Sequence, residues 1–123
     1  ILKQILEHHF DDVHGLIHCS GGGQTKCLKY LPNNFKIVKN NFVQVPPIFD
    51  LIKQASVADY KEMFQVFNMG CRMEIYTNEL AAEKFIHIAK TFQVNAQVIG
   101  RVEAADKKSV EIHHQNEVFN FVS

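Results

Sequence analysis

The stretch that decides the fold is His14-Gly15-Leu16-Ile17-His18-Cys19-Ser20-Gly21-Gly22-Gly23, in which a short apolar segment ends in three consecutive glycines. Side chains of alternating character over Val13–Cys19 predict a β-strand. The segment Gln24–Leu31 predicts a short helix that ends before Pro32. A strand, a glycine loop and a helix in this order can bind phosphate or another oxyanion, because free backbone N–H groups meet the positive end of the helix.

Side chains around the glycines extend this prediction. Ser20 adds a hydroxyl donor, and Lys26 lies about one turn further along the chain. We therefore predict that Ser20, Gly21–Gly23 and Lys26 contact a phosphate-bearing substrate. The alternative is a loop that only turns tightly. The loop is not a Walker A motif, since no Gly-Lys-Ser/Thr follows at the required spacing.

Two further residues are candidates for catalysis. His18, near the end of the strand, could act toward a ligand as a donor or as an acid or base, or could be a hydrogen-bonded core histidine. Asn68 precedes a strand and could offer its amide to a ligand, or could supply only turn chemistry with Gly70. His14 and His18 are about 13 Å apart along a strand, too far to share a metal, so no metal site is predicted.

Helix signals recur through the rest of the chain. Pro46-Pro47 suits the first turn of a helix, and Ser56-x-x-Asp59 resembles a capping box that opens a second one. Asn78 can cap a third helix. The apolar positions predicted for its core face are Ala81, Phe85, Ile88, Ala89 and Phe92.

Strands alternate with these helices. In one strand Cys71, Met73 and Ile75 are predicted to form the buried face. Further on, Ala96–Glu103 and Ser109–His113 flank a polar turn and predict a hairpin, and Val118–Val122 predicts a last strand. The pattern predicts an α+β fold in which helices cover a mixed sheet, with residues 1–123 as a single domain.

Composition excludes several classes of protein. Of 123 residues, 46% are hydrophobic and 21% are charged, as in globular proteins, and the formal net charge is zero. Without a positive field, binding to nucleic acid or to an anionic membrane is not expected, and no apolar run is long enough to span a bilayer. Three widely spaced cysteines predict small buried side chains rather than disulfides. We expect an excised piece of a larger cytoplasmic protein.

Four ordered blocks of sequence carry a family resemblance. They are His18-Cys19-Ser20-Gly21-Gly22-Gly23 with Leu31-Pro32, then Pro46-Pro47-Ile48-Phe49, then Glu62-Met63-Phe64-Gln65-Val66-Phe67-Asn68-Met69-Gly70, then Val98-Ile99-Gly100. In this order and spacing they resemble the C-terminal half of the AIR synthase family, the phosphoribosylformylglycinamidine cyclo-ligases of purine biosynthesis. The resemblance covers nearly the whole chain.

The resemblance implies a three-layer α/β/α domain with partial similarity to a ferredoxin-like arrangement. It also implies an N-terminal domain, outside this sequence, that would provide most of the ATP site and the homodimer interface. The implied reaction uses ATP with Mg²⁺ to activate the formyl oxygen of formylglycinamidine ribonucleotide. An amidine nitrogen then closes the imidazole ring of 5-aminoimidazole ribonucleotide. His18 and Asn68 would act in catalysis, and the glycine loop would hold part of the substrate.

Two alternatives remain open at the level of sequence. The chain could belong to another enzyme of the same ATP-dependent superfamily, such as formylglycinamidine ribonucleotide synthetase, selenophosphate synthetase or thiamine-phosphate kinase. It could also be a phosphate-binding module without catalysis. The His-x-Ser-Gly-Gly-Gly form at His18–Gly23 favours the cyclo-ligase, because the related proteins typically have an Asp where this chain has His18.

Overall fold

A computed structural model describes residues 1–123. The helices are α1 (Leu2–His8), α2 (Pro47–Ser56), α3 (Tyr60–Val66) and α4 (Glu79–Thr91), and 3-10 helices cover Phe10–Asp12 and Gly23–Lys29. The strands are β1 (Gly15–His18), β2 (Phe35–Lys39), β3 (Met73–Tyr76), β4 (Arg101–Ala104), β5 (Ser109–His114) and β6 (Glu117–Val122). Helices and a mixed sheet confirm the predicted α+β class.

The chain forms two compact units. The first contains residues Ile1–Ile17 and Met73–Val98, and the second contains His18–Arg72 and Ile99–Ser123. The prediction of a single domain stays a prediction. No helix has the length and apolar character that crossing a membrane requires.

Helices α1 and α4 supply the core of the first unit. Ile5 of α1 packs with a buried stripe of α4 made of Ala81, Phe85 and Ile88. Helix α4 begins after Asn78, whose side-chain oxygen accepts a hydrogen bond from the Ala81 N–H at 2.8 Å, as predicted. The predicted stripe is wrong at its end, because Phe92 follows the last turn of the helix and is 53% exposed.

Strands β1 and β3 form a two-stranded sheet. The His14 N–H donates to the Tyr76 carbonyl, and the Cys19 N–H donates to the Arg72 carbonyl, each at 2.8 Å. The predicted buried face is wrong at Met73, whereas Cys71 is buried and Ile75 packs against the core of the first unit. Met73 is 37% exposed, whereas Glu74 is buried and accepts a hydrogen bond from the Tyr76 hydroxyl on the same face. This hydrogen bond offsets part of the cost of burying the carboxylate.

The second unit contains a four-stranded sheet in the order β4-β2-β5-β6. Strand β2 is antiparallel to β4 and parallel to β5, with Ile37 opposite both Val102 and Val110. The predicted hairpin between β4 and β5 is therefore wrong, since β2 lies between them, and β4 begins only at Arg101. The hairpin in this sheet joins β5 to β6.

Helices α2 and α3 of this unit both begin at residues that are typical of helix starts, but the predicted capping residue of α3 is wrong. Pro47 occupies the first turn of α2. Helix α3 begins after Asp59, whose carboxylate accepts the Glu62 N–H at 2.8 Å while the Glu62 side chain accepts the Asp59 N–H. The capping box is thus formed by Asp59 and Glu62, and Ser56, predicted as the cap, is the last residue of α2.

Buried apolar side chains fill the second unit. They come from the glycine loop and its 3-10 helix, from α3 and its end, and from three strands of the sheet. They are Cys19, Cys27, Leu28, Ile37, Val38, Met63, Phe64, Met69, Cys71, Val110, Ile112 and Phe121. All three cysteines are buried, as predicted.

Candidate functional site: the glycine loop

The glycine loop begins where β1 ends. After the Cys19 bond to Arg72, the Ser20 N–H donates to the His18 carbonyl at 2.8 Å. The next three residues all have positive φ angles, +58° at Gly21, +110° at Gly22 and +52° at Gly23. A side chain rarely adopts this region, so three such residues in a row require glycine.

Gly23 is required for a second reason, which is packing. A Cβ atom there would lie 2.5 Å from the Phe67 carbonyl oxygen and 2.6 Å from that of Phe64. The loop therefore lies directly against the C-terminal end of α3, and only a glycine permits that approach.

Gly21 and Gly22 are exposed and open by contrast. A Cβ at Gly21 would have nothing within 4 Å, and the three atoms nearest to one at Gly22 all belong to Lys26, the first at 3.5 Å. Neither residue donates its N–H to another group of the chain. Two adjacent amide hydrogens are thus available on the surface of the loop, which is the arrangement that binds oxyanions.

The predicted polar side chains lie beside these amides. The Oγ atom of Ser20 is 3.3 Å from Nδ1 of His18, and both residues are exposed. Lys26 is half-buried, has its backbone next to Gly22 and forms no ion pair. His18, Ser20 and Lys26 therefore share one neighbourhood with the glycines.

Asn68 belongs to a turn that is tied to the same loop. Its side-chain oxygen accepts the Gly70 N–H at 2.9 Å, which is turn chemistry. Its main-chain carbonyl accepts a hydrogen bond from Nε2 of Gln24 at 2.6 Å. The Asn68 side chain retains its amide N–H groups for a ligand, since its oxygen alone is used in the turn.

Gln24 is the residue that joins the two segments, and sequence reasoning missed it. Its side chain is fully buried, and Nε2 also donates to the Cys71 carbonyl at 2.9 Å. The amide therefore spans from the first turn after the glycines to the Asn68–Cys71 turn. A glutamine directly after three glycines, three residues before the buried pair Cys27-Leu28, is the signal that could have identified it.

Lys39 holds Gln24 from the other side and was also missed. This lysine is 1% exposed at the end of β2, and its Nζ donates to the main-chain oxygen of Gln24 at 2.8 Å and to Oε1 at 2.9 Å. Because an ammonium group can only donate, it fixes the amide with its oxygen toward Lys39 and its nitrogen toward the two carbonyls. The loop is thus positioned by a buried network.

The groups with displaced pKa values lie outside this loop. Burial lowers the pKa of His114 below its usual 6.5 against the opposing charges of Asp50 and Glu117. Burial and the hydrogen bond to Asp50 raise the pKa of Tyr60. The hydrogen bonds from Arg101 and Lys36 lower the pKa of Glu103 on the sheet. None of these residues is among the predicted site residues.

Comparison with known proteins gives the family. Residues 2–113 match the model of the family described as AIR synthase related protein, C-terminal domain. This chain belongs to that family. The match contains β1, the glycine loop, the Asn68 turn and the Gln24–Lys39 network.

Individual relatives agree with the family match. The chain is 38% identical over 107 residues to the phosphoribosylformylglycinamidine cyclo-ligase of Methanobrevibacter smithii, a match that covers 87% of this chain and 31% of the relative. It is 41% identical over 93 residues to the cyclo-ligase of Methanococcus vannielii, covering 75% and 26%. It is 38% identical over 104 residues to that of Methanocaldococcus jannaschii, covering 82% and 29%. The chain spans less than a third of the length of these relatives.

Proposed function

We propose that this chain is the C-terminal domain of an ATP-dependent cyclo-ligase that converts formylglycinamidine ribonucleotide to 5-aminoimidazole ribonucleotide in purine biosynthesis. The observation that carries the proposal is the pair of unpaired, exposed amides at Gly21 and Gly22 in a chain of the AIR synthase related family. In this proposal they bind oxygens of a phosphate on the substrate.

The neighbouring side chains then have definite tasks. Ser20 adds a hydroxyl donor, and Lys26 adds positive charge beside the same oxygens. His18, hydrogen-bonded to Ser20, holds or delivers a proton when the formyl oxygen is activated and the amidine nitrogen attacks. Asn68 presents its amide N–H groups toward the reacting part of the substrate. Gln24 and Lys39 hold the loop and the Asn68 turn in fixed positions relative to each other.

ATP and Mg²⁺ are assigned mainly to another domain of the enzyme. No three His, Cys, Asp or Glu side chains of this chain come together as a group that could hold a metal ion. The proposal accordingly includes an N-terminal nucleotide-binding domain, a homodimer of the complete protein and a cytoplasmic location. The three-layer arrangement with partial likeness to a ferredoxin-like fold also belongs to it.

The test is cyclisation by the full-length protein with Gly22→Ala, measured as ADP release with formylglycinamidine ribonucleotide. At a φ of +110° an alanine strains the loop and moves the two amides, so kcat/KM should fall about tenfold or more. Gly15→Ala is the matched control. A Cβ at Gly15 would meet Tyr76 at an ordinary 3.6 Å, so activity should stay within about twofold.

The same assay separates the alternatives. Equal rates for Gly22→Ala and wild type, with both proteins folded, would favour a module without catalysis. ADP release with thiamine monophosphate or selenide, and none with formylglycinamidine ribonucleotide, would place the protein elsewhere in the superfamily. The 123-residue chain alone should show no turnover, because most nucleotide-binding groups are assigned to the other domain.

A further inference from the structure

Strand β6 is an edge of the four-stranded sheet, and after Glu117 at its start it lacks the charges and prolines that usually protect an edge. Its segment Val118-Phe119-Asn120-Phe121-Val122 contains no charge and no proline. The opposite edge, β4, carries Arg101 and Glu103, and Glu103 pairs with Lys36 of β2 at 3.1 Å. Charged residues are a common means of preventing edge-to-edge pairing. Only one of the two edges is therefore protected.

The backbone of β6 offers a regular row of free groups. Gln115 and Asn116 both have positive φ, so the β5–β6 hairpin has a two-residue turn, and the flanking pair His114–Glu117 exchanges hydrogen bonds. Bonded and non-bonded pairs alternate from there. Val118, Asn120 and Val122 accordingly point their N–H and C=O groups away from β5, toward the open edge.

The sequence of this segment is a palindrome. Read in either direction it is Val-Phe-Asn-Phe-Val, centred on Asn120. Two antiparallel copies related by a twofold axis at Asn120 would place Asn120 opposite Asn120 and Val118 opposite Val122. These are the same residues whose backbone groups are free, so each pair could exchange its hydrogen bonds. Phe119 would lie opposite Phe121 on the inner face of the sheet, as a cross-strand aromatic pair.

From the free edge and its palindromic register we propose that β6 pairs with β6 of a second copy of this chain, forming one continuous sheet about a twofold axis. For the 123-residue chain by itself the association stops at two chains, because the remaining edges of the joined sheet are the charged β4 strands. The contact does not depend on the proposed enzymatic function. It also lies in this chain's own sheet, whereas the dimer implied by the family resemblance would be formed by another domain.

The exposed valines allow a direct test of the register. Val118 is 49% exposed and Val122 is 75% exposed, so the double substitution Val118→Lys and Val122→Lys should leave the fold of a single chain intact. In the proposed dimer the two introduced lysines of one chain would each lie directly opposite an introduced lysine of the other. Like charges in direct cross-strand pairs should weaken association about tenfold or more, measured by sedimentation velocity of the 123-residue chain. Val102→Lys on β4 is the matched control and should leave association unchanged.

Introducing glutamates in place of the lysines at the same two positions tests the proposed pairing of Val118 with Val122. The chain with Val118→Glu and Val122→Glu should also be monomeric at concentrations where wild type is a dimer. Mixing the lysine and glutamate chains should restore a dimer that contains one of each, because every lysine then faces a glutamate. A mixture that stays monomeric would overturn the proposed register.

Wild type alone provides a readout that needs no variant. The amide protons of Val118, Asn120 and Val122 should exchange with solvent more slowly as the concentration of chain rises, while those of exposed loop residues such as Gly21 do not change. A chain that is monomeric at all accessible concentrations would overturn the proposal. So would a dimer that the lysine substitutions leave intact, a dimer that Val102→Lys disrupts, or open-ended aggregates in place of dimers.

Discussion

The residue on which the glycine loop depends most is Gln24. Its buried amide makes three hydrogen bonds at once, to the Asn68 and Cys71 carbonyls and to Lys39. The bonds to Cys71 and Lys39 are buried and the bond to Asn68 is part-buried, so removing the amide leaves polar atoms without compensation. The Gln24 side chain thus links the loop to the Asn68–Cys71 turn and to Lys39.

Replacing Gln24 by leucine should therefore be costly although the volume hardly changes. We expect Gln24→Leu to lower the free energy of unfolding by about 2–3 kcal/mol, because the Cys71 and Asn68 carbonyls and the Lys39 amine each lose a partner. Urea denaturation measures the change. A loss below about 0.5 kcal/mol would contradict the importance of the network. In a double-mutant cycle with Lys39→Met, the two substitutions should be non-additive by about 1 kcal/mol or more.

His114 makes the stability of the second unit depend on pH. Its Nε2 atom is buried without a hydrogen-bond partner, and its ring packs edge-on against Tyr60 and Phe64 at centroid distances of 4.7 and 5.4 Å. Burial lowers its pKa, although Asp50 and Glu117 act in the opposite direction. The neutral ring is the form that the folded chain prefers.

The preference for the neutral ring determines the direction in which stability changes with pH. The folded pKa lies below the usual 6.5, so the contribution of His114 to stability is complete above 6.5 and is lost as the pH falls through the folded value. Wild type should lose more stability than His114→Phe between about pH 7 and about pH 5, measured by urea denaturation at each pH. Parallel pH profiles for the two proteins would show that His114 does not titrate against folding.

At the scale of elements, short signals determine where helices begin. Asp59 and Glu62 form a reciprocal capping box at α3, and Asn78 caps α4. Ser56 is of a residue type that commonly caps helices. Its hydroxyl nevertheless donates to the Lys53 carbonyl within α2 and does not cap α3. The structure thus distinguishes two sites that look alike in sequence.

A pair of substitutions tests this distinction. Asp59→Ala should lower the free energy of unfolding by about 1 kcal/mol, because the Glu62 N–H loses its acceptor. Ser56→Ala should change it by less than about 0.5 kcal/mol. Chemical denaturation of the two variants beside wild type gives both values. Equal losses would mean that the cap assignment at α3 is wrong.

The elements that sequence predicted correctly are those specified by neighbours in the chain. Pro47 at the start of α2 and Asn78 at the start of α4 need only local chemistry. The pairing of β4 could not be deduced in this way, because β2 enters between β4 and β5 from far along the sequence. The alternation of apolar and polar residues also failed to predict that Glu74 is buried, where its carboxylate accepts a hydrogen bond from the Tyr76 hydroxyl.

At the scale of the whole molecule, the candidate site was predictable in part. The glycine loop, His18 and Asn68 were identified as candidates because residue type and order carry chemistry. Gln24 and Lys39 were missed because their contacts join distant segments, Lys39 lying fifteen residues from Gln24 and Cys71 forty-seven.

The central claim is that the free amides of Gly21 and Gly22 bind phosphate oxygens. It is tested most directly by titrating the ¹⁵N-labelled chain with ribose 5-phosphate and following its amide resonances. The claim predicts saturable shifts at Gly21 and Gly22, with little change at Gly15 and Gly100, and loss of these shifts in Gly22→Ala. Spectra in which the Gly21 and Gly22 resonances stay in place up to millimolar ligand would contradict it.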